Sequence, residues 1–225
     1  MIKGGFSAIF FYDFDKKEGR YCNLMYDYTA IKYLYSREKE ILFKTIENDT
    51  SKYHIRNKAI FCLAEYAGLR ASEVGLIHFS DINLESREVY FHRLKNSNNN
   101  TLRIIDNDVY TSLIDYMQER KSQNNDSQVL FLSQKGNPIS RKVLDNLMKK
   151  YCAAAGIPKE KAHFHTLKHT RAVELAELGL DTKEIQYWIG HKSIKNTEIY
   201  FQFTSKQQET LYKKILFLQN SSTMI

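Results

Sequence analysis

Proline, glycine and cysteine are all scarce in this 225-residue chain, which contains two, nine and three of them respectively. So few helix-breaking residues favour long helices. The cysteines, Cys22, Cys62 and Cys152, are odd in number and far apart, which excludes a disulfide framework and a zinc-binding spacing. No apolar run is long enough to span a bilayer, and no small-residue cleavage site follows the apolar stretch Phe6–Tyr12. We therefore expect a soluble, cytoplasmic protein with no membrane partner.

Positive charge is concentrated in one part of the chain. There are 33 Lys and Arg against 26 Asp and Glu, a net charge of +7, and 43% hydrophobic residues are enough for a sizeable core. Between Arg141 and Arg171, eight basic residues accompany only two acidic ones. Such a cluster is typical either of a solvated helix face or of a surface that binds a polyanion. Composition alone does not distinguish the two.

Apolar residues recur at helical spacing in several segments, which predicts a mainly α fold. Capping residues and glycines mark where these helices begin and end. The predicted helices are one that ends before Gly68, one around 110–117 capped by Asn107 or Asp108, one between Ser140 and Gly156, one over Leu167–Leu178, and a short one from Asp181 to Gly190.

Strand signals are confined to a short region in the middle of the chain. Glu88–Leu94 and Thr101–Ile105 are rich in aromatic and β-branched residues, and the polar segment Asn96–Asn100 between them predicts a hairpin. Val129–Leu132 is the candidate for a third strand. The expected class is therefore mainly α with a small three-stranded antiparallel sheet, an α+β arrangement.

The first 30 residues permit two interpretations. Phe6, Ile9, Phe10 and Phe14 suit a helix that ends at Gly19, which we prefer. Their aromatic density also permits a hairpin with its turn at Lys16–Gly19. So short a segment cannot form a core of its own.

Residues suited to phosphate chemistry are spaced along the chain between residues 68 and 200. These elements are Gly68-Leu69-Arg70-Ala71-Ser72-Glu73, Lys95 beside the predicted turn, His165-x-x-Lys168-His169-Thr170, Gly190-His191 and Tyr200. Cations and N–H donors can hold a phosphodiester and stabilise its charged transition state without a metal. A phenol can attack phosphorus, and a lysine can protonate the departing 5′-oxygen.

In this order and spacing, the five elements resemble the catalytic domain of the tyrosine recombinases, the integrase family. The resemblance covers the chain from about Tyr35 to Lys214. One such element would be uninformative, whereas five in order over about 130 residues are specific. The implied fold is the catalytic domain of this family, and the implied partner is double-stranded DNA.

The resemblance also implies a role for each matching residue. Arg70 would bind the scissile phosphate, Lys95 would be the general acid on the leaving 5′-hydroxyl, and Glu73 would orient the site. His165 would serve in proton transfer and His191 would hydrogen-bond the phosphate. Tyr200 would be the nucleophile that forms a 3′-phosphotyrosyl link to DNA.

One position departs from the family pattern. Lys168 stands where the family usually has a second arginine, so the positive charge is kept but the planar fork that grips two oxygens is lost. Arg171, one helical turn further on, is a candidate for partial compensation. Lys95 also has competitors, because Arg93 and Arg103 flank the same hairpin.

A metal site in this region is disfavoured by the residues around the histidines. His163, His165 and His169 are close in sequence, but Thr166 stands where a zinc protease helix has Glu, and Lys168 would repel a divalent cation. We expect no metal and no cofactor. Trp188 has Ile185 and Ile189 at helical spacing, which favours a core position over a base-stacking platform.

The sequence therefore predicts a metal-independent, site-specific DNA recombinase. The alternatives are a DNA-binding protein of the same fold with impaired chemistry, and a type IB topoisomerase-like enzyme. Residues 1–28 would be a remnant of the core-binding domain (its last helix) and a linker, and residues 29–225 the catalytic domain. We expect a tetramer on paired DNA sites, to which the C-terminal segment Lys206–Leu218 would contribute, and a monomer without DNA. The residues expected to contact DNA are Arg141, Lys142, Lys149, Lys150, Lys161 and Arg171.

Overall fold

The chain separates into two units, Met1–Ile31 and Lys32–Ile225. The structure, a computed structural model, describes residues 12–15, 20–23, 31–94, 97–123, 125–203, 212 and 215. The assignment of residues 1–28 to a core-binding domain and of residues 29–225 to a catalytic domain stays a prediction.

The N-terminal unit contains a two-stranded antiparallel hairpin. Its strands are β1 (Tyr12–Asp15) and β2 (Arg20–Asn23), with Phe14 opposite Tyr21. The preferred helix ending at Gly19 is therefore wrong at these positions, and the alternative hairpin is confirmed there. Aromatic and polar residues alternate in Tyr12–Asp15, which is the period of a strand and not of a helix.

Eight α-helices are described in the second unit, and most of the predicted ones are confirmed. Their bounds are α1 (Ser36–Glu47), α2 (His54–Ala67), α3 (Ala71–Val74), α4 (Asn107–Ser122), α5 (Arg141–Ala154), α6 (His165–Glu177), α7 (Thr182–Ile189) and α8 (Lys195–Glu198). Single 3₁₀ turns lie at Phe79–Asp81, Lys159–Lys161 and Ile199–Phe203.

The helix ends follow from local side-chain chemistry. The Ser140 hydroxyl accepts the Val143 N–H at the start of α5, as predicted. Asp181 and Glu184 form a capping box on α7. For α4 the predicted cap is wrong, since the Asp106 carboxylate accepts the N–H groups of Asp108 and Val109. Asn107 is already the first helical residue and cannot cap the helix it belongs to.

A three-stranded antiparallel sheet packs beside the helices. Its order is β3 (Ile82–Asn83), β4 (Glu88–Phe91) and β5 (Asn100–Arg103). The predicted hairpin is confirmed, but the predicted third strand is wrong. Val129–Leu132 makes only isolated bridges, from Val129 to His78 and from Leu132 to Pro138, while β3 occupies the edge beside β4. Two residues are too short for β3 to give a periodic sequence signal.

The core forms around α2, where eleven of 14 residues are buried. This helix packs against α1, α4 and α6. The Phe61 ring makes edge contacts with Tyr151 and Phe164, so α2 also holds α5 and the start of α6. The C-terminal end of α2 leads directly into the segment that carries Arg70.

The described residues also bear on the expectations about disulfides and membrane-spanning helices. Cys62 and Cys152 are buried free thiols, in agreement with the absence of a disulfide framework among the residues the structure covers. Within the same residues, no helix combines the length and apolar character needed to cross a membrane.

Candidate active site

Arg70 is held at the junction between α2 and α3. The chain leaves α2 through Gly68, whose φ of 59° is left-handed. A Cβ there would lie 2.9 Å from the Ile189 Cγ2 atom, so both backbone conformation and space favour glycine. Arg70 then caps α3, with its N–H donating to the Glu73 carboxylate at 3.0 Å. The Gly-Leu-Arg sequence thereby places the arginine at a fixed turn.

The Glu73 carboxylate is the centre of a buried hydrogen-bond network. The residue is 1% exposed, and it accepts the Arg70 Nη1–H at 2.9 Å, the Leu94 N–H at 3.2 Å and the Arg93 Nη1–H at 3.3 Å. Burial raises the pKa of Glu73, but the Arg70 N–H and the Arg93 charge outweigh it and lower the pKa below its usual value. Glu73 therefore orients Arg70, as the resemblance implies.

Arg93 is a structural residue, which removes it as a competitor of Lys95. Its side chain is completely buried. Besides Glu73, the guanidinium donates to the carbonyls of Ala67 at 2.9 Å and Trp188 at 3.2 Å, and Nε donates to Asn100 at 3.0 Å. A group this enclosed cannot reach a leaving group on DNA. Lys95 lies outside the described residues, and its role stays a prediction.

Lys168 is buried in the centre of the site. It is 0% exposed, and its Nζ donates to the Ile189 carbonyl at 2.6 Å. Burial and the nearby charges of Arg93 and Arg70 hold its pKa well below the usual value. Among the residues that the structure describes, no carboxylate forms an ion pair with Nζ, although the Glu73 charge opposes part of this effect. An added negative charge beside Nζ would favour the protonated amine.

Tyr200 lies in the same cluster as three histidines. It belongs to the 3₁₀ turn after α8 and is 2% exposed. Its hydroxyl lies 2.9 Å from the Nδ1 atom of His169, and its ring is nearly parallel to that of His191 at 6.2 Å between centroids. His165 contacts His169 edge-to-face, with 4.4 Å between ring centroids.

Electrostatic effects between these residues follow from their closeness in space. Burial, followed by the charges of Lys168 and Arg70, lowers the pKa of His165 to about 4 and that of His191 to about 3. Burial and His165 lower the pKa of His169 to about 3. Burial raises the pKa of Tyr200, and the Arg70 charge opposes this effect. At neutral pH the imidazoles are neutral and the phenol keeps its proton.

The Gly190-His191 motif has a steric basis. Gly190 has a left-handed φ of 69°, and a Cβ on it would lie 2.9 Å from both Arg93 Nε and the Asn98 carbonyl oxygen. The Gly190 carbonyl in turn accepts the Asn98 N–H at 3.0 Å. Only glycine lets the hairpin approach this closely, so the motif joins the sheet to the loop that carries His191. That side chain is fixed by Thr197, with 3.1 Å between Nδ1 and Oγ1.

His169 is the site residue whose role the sequence did not reveal. The resemblance implies proton transfer by His165, whereas the structure puts His169 in hydrogen-bond contact with Tyr200. The signal was present in the spacing, because His165 and His169 are one helical turn apart on α6.

Exposed basic residues of α5 extend the positive surface beside the site. Arg141, Lys142, Lys149 and Lys150 are all exposed. Arg141 is close enough to His165 to lower its pKa. Lys150 pairs with Asp49 at 3.3 Å, and its Nζ lies 5.1 Å from the centroid of the Tyr151 ring. Four cations on one helix suit contact with a phosphate backbone.

Two of the predicted DNA-contacting residues are engaged within the protein. Lys161 pairs with Glu38 at 2.6 Å, and its Nζ lies 3.7 Å from the Tyr35 ring centroid. Arg171 stacks on the rings of Tyr66 and Trp188 at about 5 Å. Their side chains are only 12% and 15% exposed, which makes both of them weaker candidates for DNA contact than the exposed residues of α5. Their part in DNA binding, and compensation for Lys168 by Arg171, stay predictions.

Trp188 is confirmed as a packing residue. It lies against the hydrophobic core, and its Nε1–H donates to the Tyr66 carbonyl at 2.7 Å.

Comparison with known proteins identifies similar chains. The sequence profile of the phage integrase family matches residues 32–207. The type 1 fimbriae regulatory protein FimB of Escherichia coli K12 is 34% identical over 169 residues, which are 75% of this chain and 82% of FimB. The tyrosine recombinase XerC of Listeria monocytogenes serotype 4b (strain F2365) is 26% identical over 189 residues, covering 81% of this chain and 61% of XerC.

Among solved structures, the XerA recombinase superimposes with a TM-score of 0.69 at 25% identity. The match covers 81% of this chain and 64% of the XerA chain. The chain thus spans most of the length of FimB but less than two thirds of XerC and XerA.

Proposed function

Because the chain belongs to the phage integrase family and is a site-specific tyrosine recombinase, we propose that Tyr200 cleaves and rejoins DNA through a 3′-phosphotyrosyl intermediate. The observation that carries this assignment is the 2.9 Å contact between the Tyr200 hydroxyl and His169 Nδ1. Among the described tyrosines this one combines a neutral imidazole in contact with its hydroxyl and a phosphate-binding arginine close enough to act on its pKa.

The first step is attack of the phenol on phosphorus. With Nδ1 unprotonated, His169 accepts the phenolic proton as the bond between Tyr200 Oη and phosphorus forms. His165 lies against His169 and can share this proton. The bond from phosphorus to the 5′-oxygen breaks, and Lys95 gives that oxygen a proton, so the leaving group departs as a 5′-hydroxyl.

Cations stabilise the charged phosphate in the transition state. Arg70 is oriented by Glu73 and remains 28% exposed, so its guanidinium can reach a bound phosphate. His191 is positioned by Thr197 to donate a hydrogen bond. Lys168 forms no ion pair with a carboxylate of the described part of the chain, and the phosphate supplies the negative charge that favours its protonated form.

Rejoining is the reverse of cleavage. A 5′-hydroxyl from a partner strand attacks the phosphorus of the phosphotyrosyl link and gives its proton to Lys95. The bond from phosphorus to Tyr200 Oη breaks, and the phenol regains its proton from His169. The phosphotyrosyl ester keeps the energy of the phosphodiester bond that was broken, and this energy is used to form the new bond. The exchange therefore needs no energy from a nucleotide cofactor, and no step in it is assigned to a metal ion.

The nucleophile must become accessible before DNA can reach it. Tyr200 is 2% exposed, and its turn follows the four-residue helix α8 directly. We infer that binding of DNA displaces this turn. Exposed residues of α5 provide the contact with the double-stranded DNA, and the tetramer on paired sites is part of the same proposal.

A nicked suicide substrate tests the proposal. Cleavage next to the nick releases a short fragment that cannot religate, so the protein is expected to become covalently attached to the DNA. Tyr200→Phe should abolish the adduct, while Tyr187→Phe, which alters an exposed tyrosine, should retain it.

Other results of this experiment would favour other assignments. An adduct that persists in Tyr200→Phe contradicts the assignment of the nucleophile. Salt-sensitive DNA binding with no adduct in the wild-type protein favours a DNA-binding protein with impaired chemistry. Relaxation of supercoiled DNA without strand exchange favours the topoisomerase alternative.

A further inference from the structure

A second cluster of chemically capable side chains lies outside the active site, on the sheet side of the domain. It consists of His78, Asp81 and His92, which we call the His–Asp–His cluster. His78 precedes the 3₁₀ turn Phe79–Asp81, Asp81 ends that turn, and His92 follows β4. Among the residues the structure covers, it is the single group of three or more His, Cys, Asp or Glu side chains whose donor atoms converge.

The donor atoms are already close to the spacing that a metal ion requires. Asp81 Oδ1 lies 3.2 Å from His92 Nε2, and Asp81 Oδ2 lies 3.6 Å from His78 Nδ1. One donor atom from each of the three residues falls within 4.8 Å of the other two. Ligands of a tetrahedral zinc ion are separated by about 3.3 Å, as follows from bond lengths near 2.0 Å. Small side-chain rotations are therefore enough to close the site.

Backbone contacts hold two of the ligands in place. The His78 N–H donates to Asp81 Oδ2 at 2.8 Å, which fixes the carboxylate. His78 also forms a β-bridge with Val129, and the neighbouring Phe79 N–H donates to the Gln128 carbonyl at 3.0 Å. His92 continues from β4, and its ring packs edge-to-face on Tyr90. A preformed arrangement of this kind lowers the cost of ordering the ligands on binding.

Exposure and charge also suit a bound ion. The side chains of His78 and His92 are 40% and 43% exposed, whereas that of Asp81 is only 11% exposed. An ion can therefore enter from solvent, while the charge that attracts it is shielded from competing water. Two imidazoles and one carboxylate are a donor set for zinc and other divalent transition metals rather than for Mg²⁺ or Ca²⁺.

We propose that the His–Asp–His cluster binds one divalent transition-metal ion of the Zn²⁺ class, with water in the remaining coordination position. The ion would tie the 3₁₀ turn to the end of β4. Because His92 adjoins Arg93, the buried arginine of the Glu73 network, the ion would brace the β4–β5 hairpin at the end of β4. Its role is structural, and no step of strand transfer passes through it.

Calorimetric titration of the full 225-residue chain with Zn²⁺ tests this proposal. We expect one ion per chain with micromolar or tighter affinity. Asp81→Asn keeps the oxygen that accepts the His78 N–H but loses the negative charge, so the variant should fold and bind Zn²⁺ at least tenfold more weakly. His92→Gln should have a similar effect, and His54→Gln, at an exposed histidine far along the chain from the cluster, should have none.

Thermal unfolding gives an independent readout. At a hundredfold excess over Kd, Zn²⁺ should raise the melting temperature of the wild type by about 5 °C or more, and that of Asp81→Asn by much less. Affinity weaker than about 1 mM, or equal affinity in wild type and Asp81→Asn, would overturn the proposal. Binding that survives Asp81→Asn but is lost in His169→Gln would assign the ion to the active-site histidines instead.

Discussion

Replacement of Glu73 by glutamine tests the network that positions Arg70, the arginine proposed to bind the scissile phosphate. Each carboxylate oxygen accepts two hydrogen bonds: Oε1 from Arg70 Nη1 and the Leu94 N–H, and Oε2 from the Arg70 N–H and Arg93 Nη1. In Glu73→Gln, one of these oxygens becomes an NH₂ group. Two donors then face a donor whichever way the amide is turned, and the completely buried Arg93 loses its counterion.

The expected loss of stability is large. Removal of one partner from a buried ion pair costs about 3–5 kcal/mol, because the remaining charge is left uncompensated. With a urea m-value of about 2 kcal/mol per molar, the unfolding midpoint should fall by about 2 M. Glu85→Gln makes the same chemical change at an exposed position and should alter stability by less than about 0.5 kcal/mol.

The same variant should lose activity under conditions in which it remains folded. Arg70 loses its charged acceptor and keeps only neutral ones, the Ser97 hydroxyl at 2.6 Å and the Leu94 carbonyl at 3.4 Å. Formation of the DNA adduct should therefore fall by at least tenfold in the absence of urea. A stability loss below about 1 kcal/mol, or full cleavage activity, would refute the view that Glu73 holds both arginines.

Three further predictions follow from the site and its surface. Between pH 6.5 and about 3, His169 and His191 bind protons in the unfolded chain but not in the folded protein. The free energy of unfolding should therefore fall as the pH is lowered through this window, by about 2 kcal/mol for each histidine at pH 5. Urea unfolding at several pH values measures this, and a free energy of unfolding that does not change with pH would contradict it. Lys168→Met should keep or raise stability, because it removes a buried amine whose charged form is disfavoured there, while cleavage falls about a hundredfold. A loss of unfolding free energy as large as the loss of transition-state stabilisation would indicate a purely structural lysine. DNA affinity can be measured by fluorescence anisotropy at several salt concentrations, which gives the slope of log K against log salt concentration. Lys149→Ala should reduce the magnitude of this slope by about one, and Lys161→Ala should leave it unchanged. The reverse pattern would show that Lys161, which is paired with Glu38 in the structure, contacts DNA.

Local signals in the sequence predicted much of the fold. The Ser140 cap and the Asp181–Glu184 capping box depend on side chains within one turn of the helix that they begin. These short-range effects operate in the same way in most folds. The hairpin of β4 and β5 could be predicted equally well, because a polar segment joins its two strands.

Other features depend on partners that are distant in sequence. Strand β3 contains only two residues, which form a strand because β4 pairs with them. Two residues are too few to show the alternating pattern by which a strand is predicted from sequence. Lys161 forms an ion pair with Glu38 in the fold. The Arg171 guanidinium lies over the aromatic rings of Tyr66 and Trp188. Charge counts along the chain cannot reveal such pairings.

The fold brings together several of the residues that the sequence motifs singled out. The spaced motifs identified Arg70, and the structure adds the Glu73 and Arg93 network that holds it. The hydrogen bond from Tyr200 to His169 depends on the return of the chain after α8, which follows from the tertiary fold and not from local sequence.

The most direct test of the account is the identity of the residue that becomes linked to DNA. After reaction with a nicked suicide substrate, the adduct can be digested with protease and nuclease and the nucleotide-bearing peptide sequenced by mass spectrometry. The account predicts a single 3′-phosphotyrosyl link at Tyr200. A link at any other residue, or no nucleotide-bearing peptide from a protein that binds the substrate, would contradict it.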